Sequence, residues 1–475
     1  MYSKLFLFLS LFFTTQILCA QITKADGSTI LTYDVDQQVT RLMEAAGVTG
    51  LSVGIINDNQ PVYMMTYGYK NKALNQLGDN STSFYAASLA KSLFAYLVMK
   101  MVDEKTIDLD KPLYTYLPKP LPEYDNYKDL AGDERWKLLT ARHCLDHTTG
   151  FPNWRELNPK NNKKLEFFFT PGKQYAYSGE GIHLLQLVVE AISGKPLEQL
   201  AHEKVFLPLG MTRTSFVWQE SFNDNVAYGH TVDEVPLDLI KRAEANAAGS
   251  MQTTIVDYTL FMSALMQGKG ISPESKKEML KPQIEIRSKY QFPTLSDELT
   301  VENRTIGLSY GLGWGLFKIP NGTAFFKEGH SDGWQHYVLC LPEQKIALLV
   351  MSNSSNAESI FKELFEKVAG VTIPWKWERF TPYKNTVKVP ESVLATLAGD
   401  YQGEFKATVS IDNMGQLKVE SKEARLPKST LFPSSMETFF LKSAPVDMTF
   451  VKNTGGTVHK LIVRAEGQTF ELVKK

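Results

Sequence analysis

The sequence predicts an α/β protein: an antiparallel sheet flanked by helices, with a helical insertion, followed by a small all-β tail. Three observations point there. Strand-like segments lie near the start and late in the main body, helical periodicity fills the stretch between them, and short alternating segments with tight turns close the chain. A parallel sheet needs long runs of alternating strand and helix, and these are missing.

In chain order, Leu51-Ser52-Val53-Gly54-Ile55-Ile56 and Val62-Tyr63-Met64-Met65-Thr66-Tyr67 read as neighbouring strands joined by the turn-forming Asn57-Asp58-Asn59-Gln60. From Ser88 to Val102, Leu89, Leu93, Phe94, Leu97, Val98 and Met101 recur at helical spacing. Helical patterns continue to about Lys281, clearest from Leu184 to Ile192 and Tyr258 to Met266, and are broken by Pro118, Gly150, Pro171, Gly172 and Gly210. Strand character returns in Gly311 to Phe317, His336 to Leu341 and Ile346 to Met351, before a helix-like stretch from Glu358 to Val368. Residues 376–390 read as a linker, and 391–475 as a small β-barrel-like domain with turns at Asp412-Asn413-Met414-Gly415 and Asn453-Thr454-Gly455-Gly456.

The 475 residues are 43% hydrophobic and 22% charged, with a formal net charge of -1. That composition supports a sizeable core in two packed units. With no basic stripe, it gives no electrostatic reason to expect nucleic acid or an anionic membrane surface as a partner. Residues 1–20 read as a signal peptide: Lys4, an apolar run from Leu5 to Phe13, then Leu18-Cys19-Ala20 before Gln21. Cleavage is favoured over an uncleaved anchor, and over a lipid anchor at Cys19, which follows a bulky Leu18. No other segment has the ~20 apolar residues of a membrane helix, so the mature protein is expected to be exported, periplasmic or secreted, without a transmembrane segment. Cys144 and Cys340 then remain, and the favoured reading is two buried thiols rather than a bridge.

Ser88-Leu89-Ala90-Lys91 carries the chemistry. A serine hydroxyl is a poor nucleophile at neutral pH and needs a base beside it. Three residues of helix place the lysine amine next to the hydroxyl, and an amine stripped of water loses its proton more readily. Backbone N–H groups at the helix start also favour an oxyanion. The pattern alone is weak, since roughly two or three chance matches are expected in a chain this long. Ser359-Ile360-Phe361-Lys362 is a second match, and it reads as a solvated helix face. On local pattern alone Ser88 also fits a plain helix-capping serine.

The wider sequence resembles the serine β-lactamase and penicillin-binding protein family, in its class C, D-alanyl-D-alanine carboxypeptidase and esterase branch. The matching segments run in family order from about Val35 to Gly370. They are Gly50-Leu51-Ser52-Val53-Gly54, the Ser88 motif, Arg142-His143-Cys144-Leu145-Asp146-His147-Thr148-Thr149-Gly150, Pro171-Gly172-Lys173-Gln174-Tyr175-Ala176-Tyr177-Ser178, Pro208-Leu209-Gly210-Met211, Ala247-Ala248-Gly249-Ser250-Met251, Tyr310-Gly311-Leu312-Gly313-Trp314 and Gly329-His330. The resemblance implies a β-lactamase/transpeptidase-like domain over 21–375 and a lipocalin-like tail. It also implies a serine hydrolase working through an acyl-enzyme on an ester, a small D-amino-acid peptide or a β-lactam, with no cofactor. Ser88 is then the nucleophile, with Lys91 and Tyr177 handling its proton, Tyr177 opening the family's Tyr-x-Asn motif.

Two departures matter. Gly179 stands where the family has an Asn that holds the substrate amide and positions the lysine, which weighs against amide and β-lactam turnover; the adjacent Glu180 is a candidate substitute. The third motif, Lys-Thr-Gly or His-x-Gly, reads here as His330-Ser331-Asp332-Gly333, its glycine one place late. His330 is then expected to donate to a substrate carboxylate or to assist the leaving group, and Gly333 to bring a backbone N–H to the oxyanion, although Asp332 would repel that carboxylate. The competing function is a catalytically impaired binding protein on the same fold. A zinc site at His143 and His147 is disfavoured because the Glu of H-E-x-x-H is missing. The expected partner is a small-molecule or short-peptide substrate.

Overall fold

A computed structural model describes residues 21–465 and 467–475; the leader reading falls on residues 1–20, outside the described residues. Among the described residues nine strands form the main sheet, antiparallel throughout. In spatial order they are Gln76–Leu77, Gln60–Asn71, Gly50–Asn57, Ile346–Ser352, Trp334–Leu341, Gly322–Ser331, Gly315–Ile319, Ser309–Tyr310 and Ile284–Glu285. Early and late strands meet at the centre, where Gly54 pairs with Leu349. Closing the sheet this way leaves the helical middle of the chain to cover one face.

Helices Leu89–Asp103, Gly179–Ser193 and Ile255–Gln267 pack on that face in one hydrophobic cluster. The other face is covered by Thr32–Ala46 and Glu358–Val368, which sit in a second cluster. The helix Leu89–Asp103 is buried on nearly every side, as expected of a helix apolar all round. Each buried Leu or Phe in it stabilises the fold by about 1.5–3 kcal/mol.

Most of the expected elements appear, with informative differences. Gly311 to Trp314 is a turn and the strand begins at Gly315; Gly313 sits at φ +84°, where an added Cβ would lie 2.4 Å from the Ala95 Cβ. The helix Thr32–Ala46 and the strand Gly322–Ser331 are additions to the elements read from the sequence. In Gly322–Ser331 the run Lys327-Glu328-Gly329-His330 interrupts the apolar pattern that betrays a buried strand. The tail opens with a short helix, Glu391–Leu397, before its strands.

In the tail, strand Gly399–Gln402 pairs on one side with Lys406–Ile411 and on the other with Gln468–Lys474. Strands Leu426–Thr430 and Phe432–Pro433 are separated only by Leu431, so the sheet runs round into a nearly closed barrel. Its interior holds Tyr401, Val419, Phe439, Phe450 and Leu461. The barrel touches the main body where Thr430 donates to Asp233 Oδ1 at 2.5 Å and Lys442 Nζ donates to the Ala46 carbonyl at 2.6 Å. Cys144 and Cys340 are buried and unbridged.

Candidate active site

Ser88 is the N-cap residue immediately before the buried helix Leu89–Asp103, and its hydroxyl makes no capping bond to the helix backbone. The residue before it, Ala87, is held at φ +46°, a conformation uncommon outside glycine. The chain therefore turns sharply into the helix and presents Ser88 to a cleft of about 560 Å³. Tyr85, Asn153, Trp154, Tyr177, Ala248 and Glu328 are among the residues lining it.

Lys91 Nζ lies 3.0 Å from Ser88 Oγ and donates to the Ala248 carbonyl at 2.6 Å. A neutral amine that donates one hydrogen to Ala248 keeps its lone pair for the serine proton. Lys91 is buried; burial pulls its pKa well below 10.5, and the positive charge of Lys327 adds to this. The Ala247-Ala248-Gly249 segment thus acquires a physical role, because its carbonyl orients the lysine. The second S-x-x-K differs completely, since Ser359 Oγ donates to the Asn356 carbonyl at 2.6 Å and Lys362 pairs with Glu366 at 2.9 Å.

Tyr177 is fully enclosed beside this pair, its ring centroid 5.0 Å from Lys91 Nζ. Burial drives its hydroxyl well above the usual range, and the Glu328 carboxylate adds to the effect, while a hydrogen bond with Ser88 opposes it. Tyr177 therefore rests as a phenol. Its oxygen accepts from Lys327 Nζ at 3.0 Å, and Lys327 in turn pairs with Glu328 Oε1 at 2.7 Å.

Lys327 is not among the residues that the sequence singles out. With Glu328 and Gly329 it forms a Lys-x-Gly triplet, the spacing expected of the third motif, three residues before His330. A Cβ on Gly329 would lie 2.8 Å from the Ala86 carbonyl oxygen, so this glycine is where the strand closes on the nucleophile turn. The available signal is a charged pair inside an otherwise apolar strand, since Lys and Glu are almost never fully buried unless paired.

Gly333 does not take the role expected of it. It lies in the two-residue turn between Ser331 and Trp334, its N–H is donated to Ser355 Oγ at 2.9 Å, and it packs on Gly229. Pairing between this strand and the sheet ends at Phe326 on the other side. In an antiparallel ladder closed by a two-residue turn, alternate residues turn their N–H groups outward. Counting back from the Ser331–Trp334 pair, those of Glu328 and His330 point to the open edge.

His330 lines the cleft, with Nδ1 2.7 Å from Glu358 Oε1. Burial disfavours its charge, but the Glu358 bond and charge outweigh that and its pKa is raised. Asp332 is exposed in the turn and does not line the cleft. Glu180 cannot substitute for the missing Asn: it is buried in a pair with Arg155, Nη2 to Oε2 at 2.7 Å. At Gly179 a Cβ would lie 2.7 Å from the Trp154 ring, so the indole fills the space a side chain would need. His143 belongs to the helix Ala141–Leu145 and His147 to the turn after it, at φ +57°, where its Nδ1 accepts from the Ser178 N–H at 3.2 Å. The two share no helical face.

Among the described residues no helix is long and apolar enough to cross a membrane. A family model described as Beta-lactamase matches residues 35–371. The chain is 23% identical to penicillin-binding protein 4* of Bacillus subtilis over 82% of this chain and 87% of that one. It is also 23% identical to the D-alanyl-D-alanine-carboxypeptidase/endopeptidase AmpH of Escherichia coli K12, over 73% of this chain and 91% of the other. An octameric penicillin-binding protein homologue from Pyrococcus abyssi superposes with a TM-score of 0.56 at 20% identity, covering 93% of this chain and 99% of its own. With the family model spanning most of the chain and the same fold in a solved penicillin-binding protein homologue, the protein belongs to the beta-lactamase family.

Proposed function

We propose that the protein is a serine hydrolase that transfers an acyl group to Ser88 and then to water. The observation that carries this reading is the 3.0 Å approach of a buried Lys91 amine to the Ser88 hydroxyl. The neutral amine takes the serine proton as Oγ bonds to the substrate carbonyl carbon. The oxyanion that forms meets the N–H of Ser88 and, from the open strand edge, that of His330. As the carbonyl–leaving-group bond breaks, Tyr177 passes its proton to the departing atom and takes in its place the proton that Lys91 received from Ser88, so both groups return to their resting states, while Lys327 holds the phenol oxygen in place. Water then adds to the acyl carbon and Ser88 leaves with its proton restored.

Esters are the favoured substrates, because Gly179 has no side chain to grip a substrate amide, with short peptides next and β-lactams last. His330 at the cleft wall, its pKa raised by Glu358, suits a carboxylate on the substrate. The N-terminal leader would place the reaction outside the cytoplasm. The test is a hydrolysis screen over esters, D-amino-acid peptides and β-lactams with wild-type protein and Ser88→Ala. Turnover lost in the variant is expected. Turnover equal in both would overturn the reading, and no turnover or labelling by a fluorophosphonate or labelled penicillin would leave a binding protein.

A further inference from the structure

An ammonium has three hydrogens, and Lys327 donates all of them: to Tyr177 Oη at 3.0 Å, to Glu328 Oε1 at 2.7 Å and to the Glu328 carbonyl at 3.0 Å. A second carboxyl stands beside this cluster. Residues 374–380 form a turn just beyond the segment that matches the family. The Trp377 carbonyl in it accepts from the Gln291 N–H at 3.0 Å, and Phe380 packs against the rings of Tyr337 and Phe361. The turn seats Glu378 in the wall of the catalytic cleft, with Tyr177 and Glu328. Glu378 is only 8% exposed; Tyr337 Oη donates to its Oε1 at 3.4 Å, and Oε2 has no partner among the described residues. Tyr337 is also the cross-strand partner of Glu328, so the two share a face of the sheet. One cation thus faces two buried carboxyls and is bonded to one of them. A buried carboxylate with neither cation nor firm donor is costly, so Glu378 holds a proton. Burial foremost, then the Glu328 charge, raises its pKa well above 4.5, with Lys327 opposing. The other groups coupled to it are Glu358 at the start of its helix and the phenols of Tyr175, Tyr177, Tyr310 and Tyr337. In its own turn Lys376 and Arg379 are exposed, and Arg379 stacks on Tyr290.

We propose that Glu378 is a positioning residue of the catalytic centre: as a neutral acid it leaves the Lys327 ammonium to Tyr177, and as a carboxylate it disables Tyr177 as the proton donor. The assignment rests on the hydrolase reading above. Glu378 transfers no proton in the cycle and keeps its own throughout. Its ionised form acts in two ways. It competes for a Lys327 hydrogen when none is spare, and a charged acceptor wins over the neutral Tyr177 oxygen. Its negative charge also opposes departure of the Tyr177 proton, which makes the phenol a weaker acid.

The experiment compares phenyl acetate, whose leaving group needs a proton, with p-nitrophenyl acetate, whose leaving group departs as a stable anion. Rates are measured from pH 6 to 10 on the full chain, wild type and Glu378→Gln, with Ser88→Ala as the blank. Glutamine keeps the shape and is neutral at every pH; Glu378→Met serves if the glutamine variant does not fold. In wild type the ratio of kcat/KM, phenyl over p-nitrophenyl, is expected to fall about 10- to 100-fold on the alkaline side, within the ~10²–10⁴ that positioned proton transfer supplies. In the variant that fall is displaced to higher pH. Were it due to Lys327 losing its proton, the variant would show it at the same or lower pH, because a carboxylate at 378 raises the Lys327 pKa. Either result overturns the assignment, and so does a wild-type ratio that stays constant with pH. Absence of Ser88-dependent turnover of both esters in wild type would be a different failure, sinking the hydrolase reading and this assignment with it.

Discussion

Replacing Lys327 with Met removes three interactions made by its buried amine: with Tyr177 Oη at 3.0 Å, Glu328 Oε1 at 2.7 Å and the Glu328 carbonyl at 3.0 Å. Two effects follow, and they are separable. Glu328 becomes a buried carboxylate without its cation, and losing one partner of such a pair costs about 3–5 kcal/mol of stability. Adding Glu328→Gln removes the stranded charge and recovers most of that. The catalytic effect is distinct. Tyr177 loses the group that holds its hydroxyl, and positioned proton transfer contributes about 10²–10⁴ in rate, so kcat/KM falls within that range.

The pH profile carries the sign. Burial is the main cause of the low Lys91 pKa and the Lys327 charge the second, with Glu328 opposing. Removing the Lys327 charge therefore raises the Lys91 pKa. The ascending limb of kcat/KM, which follows the free amine, moves to higher pH, and Lys327→Met/Glu328→Gln brings it part of the way back. Initial rates on an ester from pH 5 to 10, with a thermal melt at each pH, measure both effects. A folded Lys327→Met protein with wild-type rates and an unmoved limb would refute the reasoning, and a lower rate with an unmoved limb would reduce Lys327 to scaffolding.

Gly179→Ala places a Cβ at 2.7, 2.8 and 2.9 Å from three Trp154 ring atoms, so the indole must leave its seat and denaturant melts are expected to show a stability loss of about 1–3 kcal/mol, the cost of overpacking. Trp154→Ala should relieve that clash, making the two losses non-additive in a double-mutant cycle by at least ~1 kcal/mol; additive losses would count against it. Burial pushes the Asp146 carboxyl up to about 7, so from near pH 4 to near 7 the folded protein holds a proton the unfolded chain has lost, and stability falls as pH rises across that window. Asp146→Asn, which can keep the Thr148 contacts at 2.6 and 3.2 Å, is expected to match wild type near pH 4. Above pH 7 it should be more stable, by up to about 4 kcal/mol; melting curves at both pH values decide it.

The elements legible in the sequence are those whose residues serve only packing or only chemistry. Glu358 to Val368 is readable because Ile360, Phe361, Leu364, Phe365 and Val368 make an uninterrupted buried stripe. Ser88 and Lys91 are readable because a helix fixes the distance between residues three apart. The strand Gly322–Ser331 is not, because Lys327, Glu328 and His330 break its pattern with the side chains that face the site. The same interruption directs the third motif wrongly to Gly333, although Lys327-Glu328-Gly329 has the required spacing. Gly179 looks like a loss in sequence, because its partner Trp154 is 25 residues away and only folding brings the ring over it. Tyr177 shows the limit of reading charge from neighbours: two lysines flank it, yet burial and Glu328 keep it a phenol.

The pH dependence of Ser88 modification by a fluorophosphonate, followed by intact mass and peptide mapping, tests the centre of the account. One adduct on the Ser88 peptide is expected, absent in Ser88→Ala, with a rate that is half-maximal well below the ordinary lysine value of 10.5. An adduct on another residue, or a rate rising only around 10.5, would contradict activation of Ser88 by a neutral Lys91.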